Sequence, residues 1–149
     1  TLSVLKKQLT KVLEKKFNKN KIIVAYEPIW SIGTGNIGLL LDTWHWYTAQ
    51  STLSDLSHLY ADDIVYVHVN DAPSNIDVED QIDNVRCLPA ETGVIPLGQF
   101  FRILSEVGYQ GPVAVEPFSQ KLREMEPEQA LQATIDSLDK VWQQAGLNS

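Results

Sequence analysis

Short apolar runs, most of them rich in β-branched residues, recur along the chain, and each is too short to be a buried helix. They are Ile22-Ile23-Val24-Ala25, bounded by Asn20 and Pro28, then Ile37 to Leu41, Ile64 to Val69, and Val113 to Val115. Runs of this length and composition read as strands covered on both faces. Helical patterns lie before and between them: residues 2–17, where Leu2, Leu5, Leu9, Val12 and Leu13 make one apolar stripe, then 51–60, 97–107 before Gly108, and 127–144 from Pro127 to just before Gly146. Alternation of strand and helix selects the α/β class with a parallel sheet.

One connection departs from this rule. Only Pro28 to Asn36 separate the strand ending at Glu27 from the one starting at Ile37, whereas a parallel crossover needs about a dozen residues. An antiparallel hairpin on the glycine-rich turn, a lost crossover helix, and two strands that are not neighbours in one subunit all remain open. The chain begins at Thr1 and runs at once into a helical pattern, which reads as a segment of something longer.

Charge divides the chain near the same place. Residues 1–36 carry seven lysines against Glu14 and Glu27, and no lysine occurs between Lys21 and Lys121, although the whole chain of 149 residues has a net charge of −7. A solvated basic helix face explains this within one domain; a joint between two sequences near residue 36 explains it equally. The acidic balance argues against a general nucleic-acid binder. Cys87 is the only cysteine, so no intrachain disulfide exists and a reducing compartment is expected. No run approaches the roughly 18 apolar residues of a membrane span, and no signal-peptide pattern is found.

Each expected strand ends in a group able to carry chemistry: Glu27, Asp42 with His45 three residues on, His68 with Asp71, and Glu116. In parallel α/β folds reactive groups gather at the carboxyl ends of strands. Two Glu, one Asp and one His at one mouth form an oxygen-rich set suited to Mn²⁺, Co²⁺ or Mg²⁺, with Zn²⁺ also accommodated. Such an ion polarises a carbonyl and stabilises a developing enediolate while carboxylates move protons.

Every one of these groups also has a structural explanation. Glu27 and Glu116 precede Pro28 and Pro117 and suit turns, Asp42 suits a helix cap, and His68 suits a core position opposite Val67 and Val69. Trp30, Trp44 and Trp46 flank the candidates as stacking walls for a sugar ring or as packing. Arg86, ahead of Glu91-Thr92-Gly93-Val94, suits recognition of hydroxyls or phosphate, or a surface ion pair. His58 reads as a surface residue of a helix.

Residues 26–35, Tyr-Glu-Pro-Ile-Trp-Ser-Ile-Gly-Thr-Gly, resemble the signature of triosephosphate isomerase, and residues 4–25 before them are also similar to that family. The resemblance implies that Glu27 is a catalytic base and residues 32–35 a lid over a substrate phosphate. The family's lysine, its histidine and its later phosphate loops have no counterpart here.

From Asn36 to about Leu147 the sequence resembles another family, the metal-dependent sugar phosphate isomerases and epimerases of the xylose-isomerase-like barrel. The resemblance rests on Gly38-Leu39-Leu40-Leu41-Asp42-Thr43-Trp44-His45, Val67-His68-Val69-Asn70-Asp71, Arg86 before Pro89–Gly93, Gly108-Tyr109-Gln110-Gly111-Pro112 and Val115-Glu116-Pro117-Phe118. It implies Asp42, His68 and Glu116 as metal ligands, His45 and Arg86 as substrate contacts, and Asp71 as a support beside the metal. The remaining family ligand is a Glu on the preceding strand, a place filled here by Glu27, which is thereby a base, a ligand or neither. The pattern is also similar to the related zinc endonucleases of abasic-site repair, whose additional metal histidines are missing here.

Together these readings predict a partial, half TIM-type βα barrel in one domain over residues 1–149, with segments 1–35 and 36–149 of different ancestry, completed by homodimerisation if at all. The expected activity is metal-dependent isomerisation or epimerisation of a small sugar or sugar phosphate in the cytoplasm, with Glu27 and Glu116 catalytic and Trp44, His45 and Arg86 at the substrate. The alternatives are an inactive or engineered barrel fragment and, more weakly supported, triosephosphate-isomerase-like proton transfer through Glu27.

Overall fold

A computed structural model of the chain describes residues 38–147. The helix expected over 2–17, the strand over 22–25, the lid residues, Trp30 and Glu27 lie outside the described residues, as does the connection from Pro28 to Asn36.

Strands β1 (Leu39–Asp42), β2 (Ile64–Val69) and β3 (Val113–Val115) form a parallel sheet in the order β1-β2-β3. The alternation with helices thus yields the parallel sheet expected of it. Asp42 pairs in register with His68 and His68 with Ala114. Side chains alternate across a strand, so Asp42, His68 and Ala114 share a face with Glu116, two residues beyond Ala114. Val67, Val69, Val113 and Val115 project to the opposite face, against the helices.

Helix α1 (Thr43–Thr48) follows β1 without a loop. Its aromatic and β-branched sequence carries little intrinsic helix preference, which is why the sequence pattern does not reveal it. Its start is fixed instead by Asp42, whose Oδ1 accepts from the backbone N–H groups of Trp44 and His45 at 2.8 and 3.0 Å. The helix expected over 51–60 contracts to α2 (Leu53–Leu56). Thr52 and Asp55 form a reciprocal capping box at its start. The Thr52 backbone and hydroxyl both donate to the Asp55 carboxylate and hold its pKa below the ordinary value. Three-residue bonds from His58 to Asp55 and from Leu59 to Leu56 tighten and end the helix.

Helices α3 (Leu97–Glu106) and α5 (Pro127–Ala145) coincide closely with the expected segments; a further turn, α4 (Gln120–Arg123), lies between β3 and α5. Leu97, Phe100, Phe101 and Leu104 make the buried stripe of α3. Phe101 meets Trp142 of α5 edge to face at 4.9 Å, and Phe100 meets Trp46 of α1 at 5.3 Å. Phe100 is fully buried, so truncation to Ala costs about 3–5 kcal/mol. The two helices approach closely at Gly98, where a Cβ would stand 2.8 Å from Gln144 Cβ. Arg102 of α3 donates to the carbonyls of Gln144 and Ala145, satisfying the end of α5.

Candidate functional site

The carboxyl ends of the three strands converge on one face of the sheet. Asp42 Oδ2, His68 Nδ1 and Glu116 Oε2 face one another: Nδ1 lies 3.1 Å from Glu116 Oε2 and 3.7 Å from Asp42 Oδ2. Ligand atoms of the three residues all lie within 4.8 Å of one another. The Asp42 carboxylate is buried, His68 is mostly so, and Glu116 is more than one-third exposed.

His68 Nδ1 is close to Glu116 but out of hydrogen-bond alignment, so it remains a buried ring nitrogen with no hydrogen-bond partner. Leaving such a group unsatisfied costs free energy. Two carboxylate oxygens and a lone imidazole nitrogen directed at one space are the donor set of a divalent transition-metal site. On chemistry and on this orphaned nitrogen, the residues present fit a metal ion.

Arg86 completes the centre, and its position excludes the surface ion pair that the sequence allowed. It is 3 % exposed. Its guanidinium lies over the rings of Trp44 and Phe118, 4.9 and 5.0 Å from their centroids. Nη1 donates to Asp42 Oδ2 at 2.9 Å and to Glu116 Oε2 at 3.3 Å. Nη2 donates to Asp83 Oδ1 and lies 3.2 Å from His45 Nε2, while Nε donates to the Asp83 carbonyl at 2.9 Å. Asp83 did not stand out in the sequence; the signal was its spacing of three residues before Arg86.

The remaining candidates are distributed differently. His45, at the half-exposed edge of the cluster, stands 3.7 Å from Asp83 Oδ1. Trp44 is buried beneath Arg86, and Trp46 turns away into the core. His58 is exposed, with Nδ1 2.7 Å from the Ser54 carbonyl. Behind the cluster, Thr43 Oγ1 donates to the Asn70 carbonyl at 2.8 Å and accepts from the Asn70 N–H at 2.9 Å, tying the end of β1 to the end of β2.

Asp71 has a purely structural environment. Its two oxygens accept from four backbone N–H groups, those of Ala72, Thr92, Gly93 and Ile95, at 2.7–3.0 Å. The left-handed backbone of Gly93 (φ 74°) turns its N–H toward this carboxylate. A two-way backbone bridge between Asp71 and Cys87 joins the same loop to β2. Asp71 therefore supports the site by fixing the chain just after Arg86. Burial, followed by the nearby Glu91 and Asp71, pushes the Cys87 thiol up to about 11.

Comparison with known proteins places the fold in a family. The sequence profile of the xylose isomerase-like TIM barrel family matches residues 1–141. An inosose isomerase of Halalkalibacterium halodurans is 34% identical over 117 residues, 78% of this chain and 41% of that protein. A xylose isomerase domain protein from Alicyclobacillus acidocaldarius superposes with a TM-score of 0.66 at 38% identity, over 78% of this chain and 40% of its own. The IolI protein, solved with a bound zinc atom, superposes with a TM-score of 0.65 at 26% identity, over 71% of this chain and 37% of its own. Triosephosphate isomerase of Saccharomyces cerevisiae is 51% identical over 35 residues, only 24% of this chain.

Proposed function

The chain belongs to the xylose isomerase-like TIM barrel family, and from that premise we propose that it is built for metal-dependent isomerisation or epimerisation of a small sugar, sugar phosphate or related polyhydroxylated ketone. The observation that carries this proposal is the convergence of Asp42, His68 and Glu116, with ligand atoms within 4.8 Å of one another on one sheet face. These three residues would hold the ion, with Glu27 as a fourth ligand or as the base. A divalent ion bound there supplies Lewis-acid polarisation of a carbonyl oxygen; Mn²⁺, Co²⁺, Mg²⁺ and Zn²⁺ all suit the donor set.

The chain's own groups supply the rest. Glu116 is the accessible carboxylate of the cluster and takes a proton from the carbon next to a substrate carbonyl. His45, at the partly exposed edge of the cluster, orients substrate hydroxyls or a phosphate. Arg86, buried with its donors on Asp42, Glu116 and Asp83, acts on substrate through the carboxylates it holds. Trp44 backs the guanidinium and so helps to position Arg86 against the carboxylates. The inosose isomerase relative supports a sugar-like substrate class. No helix among the described residues is long and apolar enough to cross a membrane.

The chain spans about two-fifths of the relatives it matches over most of its length, and this favours a second reading: a barrel fragment that keeps the ligands but does not turn over. Among the described residues β3 pairs on one side only, and Leu131 and Ile135 expose an apolar stripe on α5. A homodimer pairing open edges would cover both. Triosephosphate-isomerase-like chemistry through Glu27, and separate ancestry for residues 1–35, rest on the shorter 35-residue likeness.

The test is an epimerisation and isomerisation assay on keto-sugars and inososes, with Mn²⁺ or chelator, alongside sedimentation at two concentrations. Metal-stimulated turnover that Glu116→Gln abolishes supports the enzyme; turnover unchanged in that variant contradicts it. A stable, metal-binding dimer without turnover favours the fragment.

A further inference from the structure

We infer that Arg86 is a built-in counter-ion that occupies the metal ligands before the metal does and sets how tightly the ion binds. The inference rests on the metal-site reading above. Nη1 of Arg86 donates to Asp42 Oδ2 and Glu116 Oε2, and these are the same two oxygens that face His68 Nδ1. A divalent ion taking them meets a positive charge already seated on both.

The seat is built to hold that charge. Bringing Asp42 and Glu116 together without a cation would leave two carboxylates repelling each other, one of them fully desolvated. The guanidinium neutralises them, and its planar fork lets it do so while Nε and Nη2 are held by Asp83. The rings of Trp44 and Phe118 both contact the guanidinium, which adds to its hold on this place. Asp83 is more than half exposed on the loop before Arg86 and draws the other end of the guanidinium away from the ligands. When a metal binds, Asp83 holds the charge that the ligands no longer need.

Removing the charge therefore has opposite effects on the metal-free and metal-bound protein. Arg86→Gln in the full chain is expected to lower the melting temperature in chelator and to bind Mn²⁺ about tenfold more tightly by calorimetric titration, the scale set by a close charge pair. Arg86→Lys keeps a cation but cannot reach Asp83 and both ligand carboxylates at once, and it tightens Mn²⁺ binding less. If Arg86→Gln does not fold in chelator, saturating Mn²⁺ must restore folding, because the ion then supplies the missing positive charge.

Mn²⁺ affinity unchanged or weakened in Arg86→Gln, with wild type binding normally, overturns the counter-ion role and makes Arg86 a positioning clamp for the ligands. Failure of Mn²⁺ to restore an unfolded variant overturns it too. A wild-type chain that binds no Mn²⁺ overturns the metal reading itself, and this inference with it.

Discussion

Asp42 and Asp71 are both buried aspartates at the carboxyl ends of neighbouring strands, and they do opposite things. Asp71 spends both oxygens on four backbone N–H groups and holds a loop. Asp42 spends Oδ1 on the start of α1 and turns Oδ2 toward His68 and Arg86. Burial does not make a carboxylate chemical; an oxygen left over from backbone work does. The same rule separates Glu116, whose carboxylate is more than one-third exposed and takes no backbone donor, from the acids that only close turns.

Four predictions sharpen or break this contrast. Asp71→Ala strands four backbone donors and is expected to cost about 4 kcal/mol in urea unfolding, since each unpaired buried donor carries a desolvation penalty of about 1–3 kcal/mol. A loss below about 1 kcal/mol, on the scale of a surface substitution, would break the structural half of the comparison. Asp42→Asn keeps a good cap for α1 but weakens the ligand set and an Arg86 ion pair. In chelator it is expected to lose about 2 kcal/mol, and in Mn²⁺ it gains no stabilisation.

Tyr109 tests the support below the site. Its hydroxyl donates to the Pro112 carbonyl at 2.7 Å, just before β3, and Tyr109→Phe is expected to cost about 1 kcal/mol. Burial pushes the Tyr109 hydroxyl up to about 12 from an ordinary value of 10. A group raised in the folded state favours folding fully below the unfolded value and loses that contribution as pH rises. Wild-type stability should therefore fall between about pH 10 and 12, and less steeply in Tyr109→Phe; equal slopes in a denaturant series across that range would count against it. The smallest effect is chemical: with its thiol pushed up to about 11, Cys87 should alkylate far more slowly than a free thiol at pH 8, and unfolding should restore the ordinary rate.

Much of this was legible in the chain, for reasons that differ by element. The β-branched runs at 64–69 and 113–115 gave their strands directly, and Pro127 and Gly146 bracketed α5, because those signals are local. Asp42 was legible as a cap, but the course of α1 after it was not, since Thr43–Thr48 is a poor helix former that folds because Asp42 caps it and the core takes its tryptophans. The face shared by Asp42, His68 and Glu116 follows from strand parity. Neither the burial of Arg86 nor its hold on Asp83 could be read, because both depend on loops meeting in space. Asp71 could not be told from Asp42, since the sequence does not say which carboxylate the backbone will consume.

The most direct measurement is a thermal melt of chelated protein with and without Mn²⁺, at two protein concentrations, in wild type and Asp42→Asn. A ligand that binds only the folded state adds about 2.7 kcal/mol at one hundred times its Kd. If Asp42, His68 and Glu116 hold an ion, wild type rises with Mn²⁺ at both concentrations and the variant does not. No rise in wild type, or an equal rise in both, would contradict a metal centre at these residues.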